Sequence, residues 1–176
     1  MTLIGHLMRP FFCTFAVFYF FSLLGAEQAY AAALDKNADS SAHDAQTLRT
    51  FDWVLLEAYD AEGEDQSNLQ AAGYGSPKFS FSSEGALVVD QGCTSIGGDY
   101  QITKRNQLSY KGYSIAGSIC MVEQRWQTDR LAKSLSQLSS FQITPNKNKF
   151  KARLLLHFKD GSHWVLAPIN KLLIIN

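Results

Sequence analysis

The amino-acid sequence predicts an α+β domain built mainly from antiparallel strands. Short segments with apolar residues at every second position alternate with turn residues along much of the chain. One segment, from Val122 to Leu138, instead carries apolar residues at helical spacing and contains no Pro or Gly. A third indication is Asp160-Gly161, which lies between two apolar segments and is typical of a tight hairpin turn. Together these patterns predict a sheet of hairpins with one amphipathic helix packed on it.

The first 31 residues have the pattern of a cleavable secretory signal peptide. Arg9 supplies the positive charge, residues 11–24 are almost entirely apolar, and Ala29-Tyr30-Ala31 is the small-x-small sequence that signal peptidase recognises. A retained membrane anchor is the alternative, but the apolar run is shorter than the roughly 18 residues that a spanning helix needs. A lipoprotein signal is excluded because Cys13 lies inside the run. We therefore expect a periplasmic or secreted protein without a transmembrane segment after signal removal.

Composition divides the remaining chain into three parts. Residues 32–50 are rich in Ala, Ser, Asp and Asn and lack an apolar period, which predicts a flexible linker. Residues 51–169 form the predicted domain, and residues 170–176 form an apolar C-terminal tail. The formal net charge is +0, so the chain has no long-range attraction to nucleic acid or to an anionic membrane.

The strands are predicted from their alternation and from the turns between them. The turn at residues 82–85 joins two segments into a hairpin, and the turn at Asp160-Gly161 joins the last two. In chain order, the predicted strands are residues 51–56, 78–81, 86–89, 99–102, 108–110, 113–119, 152–158 and 162–166.

The last hairpin has an apolar second face. With a two-residue turn, His157 pairs with Trp164, and Leu155, Trp164 and Leu166 share the face opposite the predicted core face. The favoured interpretation is that this second face is covered, for example by the C-terminal tail, so that Trp164 belongs to the core. The alternative is that the face is available to a ligand or partner, which makes the three residues candidate contacts. The same register sends His157 and His163 to opposite faces, so no metal site is predicted.

No sequence pattern for catalysis or for a cofactor is recognisable. Residues 92–98 are rich in glycine, but they contain no Lys and no helix pattern follows, which excludes a phosphate-binding loop and favours a β-bulge or a sheet corner. No serine lies in a G-x-S-x-G sequence. We therefore expect a protein that is not an enzyme and has no cofactor. A hydrolase whose site assembles only in space is the less favoured alternative.

Two cysteines, Cys93 and Cys120, remain after removal of the signal peptide. An even number of cysteines in an oxidising compartment favours a disulfide between them. Two unrelated buried thiols are the alternative.

The order of these parts resembles the META (HslJ-like) domain of bacterial envelope proteins. The resemblance covers about residues 51–167, and its most specific part is a glycine–cysteine motif followed by a second cysteine at a helix start. One departure is Thr94, because the family usually has Asn after the first cysteine. The residues that carry the resemblance are Trp53-Val54-Leu55, Phe79-Ser80-Phe81, Gly92-Cys93-Thr94, Gly98-Asp99-Tyr100, Ser118-Ile119-Cys120, Glu123, Leu131, Leu135, Leu154-Leu155-Leu156 and Trp164.

The resemblance implies a fold and a range of functions. The implied fold is a partly open, barrel-like antiparallel sheet with one helix packed on it. The implied function is envelope maintenance or stress tolerance, without enzymatic activity, through binding of an envelope protein or an apolar ligand. A carrier of lipids or other small hydrophobic ligands, with a pocket inside the barrel, is the alternative.

Overall fold

Eight antiparallel strands form one continuous sheet in the order β5-β4-β3-β2-β1-β8-β7-β6. The computed structural model describes residues 41–69, 75–103, 106–117, 122–144, 146 and 151–170. The predicted signal peptide lies outside these residues. The elements are α1 (residues 41–50), β1 (Asp52–Tyr59), a 3-10 helix (Ser67–Leu69), β2 (Lys78–Phe81), β3 (Ala86–Asp90), β4 (Thr94–Ile102), β5 (Leu108–Gly117), α2 (Val122–Leu135), β6 (Leu138–Thr144), β7 (Arg153–Phe158) and β8 (His163–Ile169).

The sheet curls until its two outer strands approach each other. A single antiparallel bridge between Gln107 and Ser140 joins the start of β5 to β6. The right-handed twist of neighbouring strands favours such curling once a sheet has this many strands. The result is a partly open barrel with helices, which confirms the predicted fold class.

Large side chains fill the inside of the curled sheet. Trp53 on β1, Phe79 on β2 and Trp164 on β8 are among the largest buried side chains, and the ring of Phe79 packs edge-on against that of Trp164 at 6.0 Å. Burial of such surface is the main driving force for folding. The other buried residues of this core on the strands are Leu55, Phe81, Leu87, Val89, Ile96, Tyr100, Leu108, Tyr110, Leu138, Phe141, Ile143, Leu154, Leu156, Phe158 and Leu166.

Helix α1 lies at the end of the barrel where β1 begins. The Leu48 side chain is fully buried in the core, and the Trp53 indole Nε1 donates a hydrogen bond of 2.9 Å to the Leu48 carbonyl. Asn106, in the turn between β4 and β5, donates through Nδ2 to Asp44 Oδ2 at 2.8 Å. Arg49 Nε donates to the Tyr100 hydroxyl at 2.9 Å. The helix is therefore part of the domain.

Helix α2 lies at the opposite end, where it connects β5 to β6. Leu131 and Leu135 are buried in the core, as their spacing predicts. Two hydrogen bonds also join α2 to the segment that follows β1. Arg130 Nη2 donates to Gln66 Oε1 at 3.1 Å, and Gln127 Nε2 donates to the Asn68 carbonyl at 3.2 Å. The two helices thus approach the core from opposite ends of the barrel.

Several parts of the sequence-based assignment are wrong. Strand β6 was not predicted, and β4 begins at Thr94 rather than at residue 99. The flexible linker was predicted to extend to residue 50, but residues 41–50 form α1, and only Leu48 among them is buried. A helix with a single buried apolar residue, Leu48, has no periodic apolar pattern, which is why the sequence did not predict it. The predicted helix extended to Leu138, but α2 ends at Leu135 and Leu138 is the first residue of β6. The chain turns at Ser136 and Gln137, and the Gln137 amide bonds the Ser134 carbonyl at 2.9 Å.

The burial of Leu48 predicts that residues 41–50 contribute to stability. Leu48→Ala should lower the free energy of unfolding by about 2–5 kcal/mol, because it leaves a cavity in the core. Gln46→Ala, at an exposed position of the same helix, should change it by less than about 0.5 kcal/mol. Urea denaturation followed by circular dichroism measures both values. Equal, small effects of the two substitutions would show that α1 does not pack on the barrel.

Candidate functional site

The glycine–cysteine motif forms the turn between β3 and β4. Gly92 has φ 88°, which is costly for residues with a side chain, and its amide donates to Asp90 Oδ1 at 2.8 Å. The Gln91 amide donates to the Thr94 carbonyl at 2.9 Å, which closes the turn. Gly92, and not the residue after the cysteine, therefore takes the left-handed conformation.

A chain of buried hydrogen bonds joins this turn to α2. Thr128 Oγ1 donates to Gln91 Oε1 at 2.9 Å, and it lies 2.9 Å from Thr94 Oγ1. A hydroxyl has one proton, so Thr94 is the donor to Thr128. This bond gives Thr94 a structural role at the position where the sequence departs from the usual Asn.

The predicted disulfide concerns the same region. Thr94 pairs with Gly117 across β4 and β5, and a Cβ atom on Gly117 would lie 2.3 Å from the Cys93 carbonyl oxygen. The chain that continues from Gly117 towards Cys120 thus starts beside Cys93. Cys120 lies outside the described residues, so the Cys93–Cys120 disulfide stays a prediction that this register supports.

An open depression of about 240 Å³ over the motif is lined by Asp90, Gly92, Cys93, Thr94, Ser95, Ala116 and Gly117.

The other motif residues, Gly98 and Tyr100, have packing roles. A register shift between Gly97 and Asp99 marks the bulge that the glycines predict. A Cβ atom on Gly98 would lie 2.7 Å from the Tyr110 ring, so only glycine leaves room for this tyrosine. Burial, with Asp99 and Tyr113 nearby, raises the pKa of Tyr110 to about 12. Tyr100 donates from its hydroxyl to the Ser82 carbonyl at 2.5 Å, which connects β4 to the β2–β3 turn.

The last hairpin has a different register from the predicted one. His157 pairs with His163, and Leu156 pairs with Trp164. The Phe158 amide bonds the Ser162 carbonyl at 3.0 Å, so the loop has three residues and contains Gly161 at φ 92°. A slip of one residue moves a strand's side chains to the other face of the sheet.

This register corrects the candidate contact surface. Trp164 and Leu166 are buried inside the barrel with 2% and 0% of their surface exposed, whereas Leu155 pairs with Val165 on the outer face. The three residues therefore do not share a face, and the first two are not available to a partner. Trp164 packs against the Phe158 ring with their centroids 4.5 Å apart.

The same register brings three rings together on the outside of the sheet. Tyr59, His163 and His157 lie side by side on β1, β8 and β7, and we call them the histidine row. The ring centroids of Tyr59 and His163 are 5.1 Å apart and stacked, and those of His163 and His157 are 6.4 Å apart. Partial burial, followed by the charge of His163, lowers the pKa of His157. The prediction that the two histidines lie on opposite faces is thus wrong.

The second half of β5 is exposed on both faces. Lys111 and residues 114–117 pair with β4 on one side, Gly112 and Tyr113 lie in the bulge between them, and no described strand pairs with the other side of this segment. Tyr113 and Ile115 are 48% and 44% exposed. We call residues 113–117 the free edge. Sequence reasoning predicted an extended segment here but not its exposure, because alternating apolar residues look the same on an edge strand as on a covered one.

Comparison with known proteins identifies the family. The family model of the META domain matches residues 46–170. The chain belongs to the META domain family. The match begins inside α1, which agrees with the burial of Leu48.

One solved structure supports the fold of this META domain, and a second gives a weaker superposition. A protein from Burkholderia xenovorans, solved by NMR, superimposes with a TM-score of 0.57 at 17% sequence identity, covering 72% of this chain and 86% of that chain. A duf4847 family protein from Bacteroides vulgatus gives a TM-score of 0.48 at 12% identity, covering 68% of this chain and 93% of that chain. A search of curated proteins finds no match.

The described residues of the META domain contain neither a candidate membrane-spanning helix nor a candidate cluster of three metal ligands. No described helix is both long and apolar enough to cross a membrane. In the same part of the chain, no group of three or more His, Cys, Asp or Glu side chains is placed to hold a metal ion.

Trp164 is buried and Trp126 is exposed, so alanine substitutions at these two positions provide a matched test of the observed hairpin register. Trp164→Ala should lower the free energy of unfolding by about 3–5 kcal/mol, because it empties a core position. Trp126→Ala, at a 63% exposed position on α2 beside Arg130, should cost less than about 1 kcal/mol. Guanidinium denaturation followed by circular dichroism compares them. A smaller loss for Trp164→Ala than for Trp126→Ala would restore the original hairpin register.

The lowered pKa of His157 predicts a dependence of stability on pH. The unfolded chain takes up this proton near the ordinary value of 6.5, and the folded chain does so only at lower pH. The free energy of unfolding should therefore fall as the pH falls from 7.5 to 5.5. Urea denaturation at both pH values should show a smaller fall in His157→Gln than in the wild type. An unchanged pH dependence in His157→Gln would contradict the assignment.

Proposed function

We propose that this META domain protein is not an enzyme and acts outside the cytoplasm, in envelope maintenance or stress tolerance, by binding an extended segment of a partner protein along the free edge. The observation that carries the proposal is the exposure of Tyr113 and Ile115 on a strand half that no described strand covers. The signal-peptide pattern of residues 1–31 supports the location.

Beyond the bulge at its first residue, the free edge lacks the features that usually protect a strand from pairing. Natural edge strands are blunted by charged residues, prolines or bulges. In β5, Lys111 lies before the free edge, and the bulge of Gly112 and Tyr113 lies at its start, opposite the step from Gly97 to Asp99. Residues 114–117, beyond the bulge, pair regularly with β4 and contain neither charge nor proline. An exposed edge of this kind can take one more strand through main-chain hydrogen bonds.

The side chains of the free edge define the partner segment. Ile115 pairs with the buried Ile96 and therefore lies on the side of the sheet that faces the core. Its exposed surface, with that of Tyr113, favours apolar side chains at alternate positions of the added strand. The small residues Ser114 and Ala116 alternate with these two, and this other face tolerates polar side chains. The proposed occupant is thus an extended, alternating segment.

The packing of the interior favours a protein partner over the alternative of a lipid carrier. A carrier needs an internal chamber, and small-molecule sites are concave and mostly apolar. Here the inward side chains include two buried tryptophans and several phenylalanines, and helices lie at both ends of the barrel. The depression over the glycine–cysteine motif is open and lies on the surface.

A pair of positions with equal exposure tests the proposal. Ile115 and Val88 are 44% and 43% exposed on the same sheet, but Val88 lies on the inner strand β3. A benzophenone amino acid at position 115 should cross-link a partner in the envelope of the native host, and the same group at position 88 should not. Mass spectrometry then identifies the cross-linked segment.

A synthetic peptide of that segment gives the quantitative test. Ile115→Lys should weaken its binding by about tenfold or more, which corresponds to about 1.4 kcal/mol, and Val88→Lys should leave it unchanged. Equal cross-linking at both positions, or a second copy of this chain as the only cross-linked product, would overturn the proposal.

A further inference from the structure

The pairing of His157 with His163 places two imidazoles on the same outer face of a two-stranded ladder. Their Cα atoms are directly opposite each other on β7 and β8. Directly paired residues of antiparallel strands have Cβ atoms roughly 5 Å apart, which is the closest approach that neighbouring strands offer. Both side chains are partly exposed, so an ion from solvent can reach them.

The distance between the rings suits a shared ligand after a small rotation. The ring centroids are 6.4 Å apart with an interplanar angle of 32°. A Zn–N distance of about 2.1 Å and a tetrahedral angle would place two such centroids roughly 5 Å apart. Rotation of the side chains must therefore bring the rings closer by about 1 Å, which their partial exposure permits.

The surroundings hold the histidine backbone and favour a cation. Ser139 Oγ donates to the His157 carbonyl at 2.9 Å, which fixes β7 against β6. Tyr59 stacks on His163 and donates from its hydroxyl to Glu57 Oε2 at 3.1 Å. Asp65 pairs with Tyr59 through an isolated bridge. The Glu57 carboxylate thus lies at the Tyr59 end of the row, where it adds negative charge.

We propose that His157 and His163 form a two-imidazole site for a divalent transition ion of the class that prefers nitrogen ligands, such as Cu²⁺, Ni²⁺ or Zn²⁺. Imidazole suits these ions, whereas Mg²⁺ and Ca²⁺ prefer oxygen ligands. Because the described residues supply no third His, Cys, Asp or Glu ligand, water completes the coordination. The site is therefore an exchangeable surface site rather than a closed structural one.

Binding at this site would connect the ends of β7 and β8 beside their loop. An ion that binds only the folded chain raises the melting temperature in proportion to the logarithm of its concentration. Only neutral imidazole is a ligand, so the site is expected to bind at neutral and higher pH and to release the ion in acid. The two histidines lie on β7 and β8, whereas the free edge lies on β5. The test of metal binding is therefore independent of the test of the proposed function.

Titration of the untagged protein with Ni²⁺ at pH 7.5 tests the site by calorimetry and by melting temperature. His157→Gln and His163→Gln should each weaken binding at least tenfold and abolish the rise in melting temperature. The control His43→Gln should bind as the wild type does, and Mg²⁺ should have no effect. Melting curves without metal show whether each variant is folded.

A spectroscopic arm counts the ligands directly. Electron paramagnetic resonance of the Cu²⁺-loaded protein should show two coordinated imidazole nitrogens, and each variant should show fewer. Wild-type affinity in His157→Gln or His163→Gln, an equal loss in His43→Gln, or a single nitrogen in the wild type would overturn the proposal.

Discussion

The fold depends on one constraint, which is that a single sheet buries its inner face against itself. Eight strands in a row have two outer edges, and the Gln107–Ser140 bridge brings those edges together at one point. Curling lets the buried inward side chains pack against one another, as in the contact between Phe79 and Trp164. What curling leaves open is the two ends, and each helix approaches one of them. Burial of Leu48 and of Leu131 follows from that geometry.

The family motif serves the same constraint. Gly92 turns the chain between β3 and β4, and Gly98 leaves space for the Tyr110 ring at the bulge. Tyr100 bonds both Arg49 of α1 and the Ser82 carbonyl, so it joins the helix at one end to two hairpins of the sheet. Each of these residues has a packing role that accounts for it. The motif is therefore explained by folding and does not by itself indicate a site, since a fold alone does not specify function.

The sequence predicted the strands well wherever local pattern and local geometry agree. Alternation located β2, β3 and β7 closely, and helical spacing located the core side of α2 at Leu131 and Leu135. It failed where one residue decides. Gly161 in the left-handed conformation produces a three-residue loop, and the two-residue turn expected from Asp160-Gly161 differs from it by a single register step. Because of this one-residue difference in register, Trp164 lies in the core rather than on the candidate contact surface, and His157 and His163 lie on the same face. Likewise, α1 is fixed to the barrel by Leu48 alone among its buried side chains, which no periodicity reveals.

The exposed groups of the sheet, rather than its packed core, suggest which functions the domain can have. Among the described residues, the inward side chains of the sheet pack against one another, which favours recognition on the outside and at the edges. On the outside of β7 and β8, neighbouring side chains are held by paired backbones, which suits fixed polar groups such as His157 and His163. At the end of the sheet, the backbone itself is exposed along residues 113–117, which suits a partner that contributes a strand. Closing the barrel fully would remove this second surface. The partial opening between β5 and β6 thus leaves one side of residues 113–117 without a described strand partner, which is where the proposed partner strand would pair.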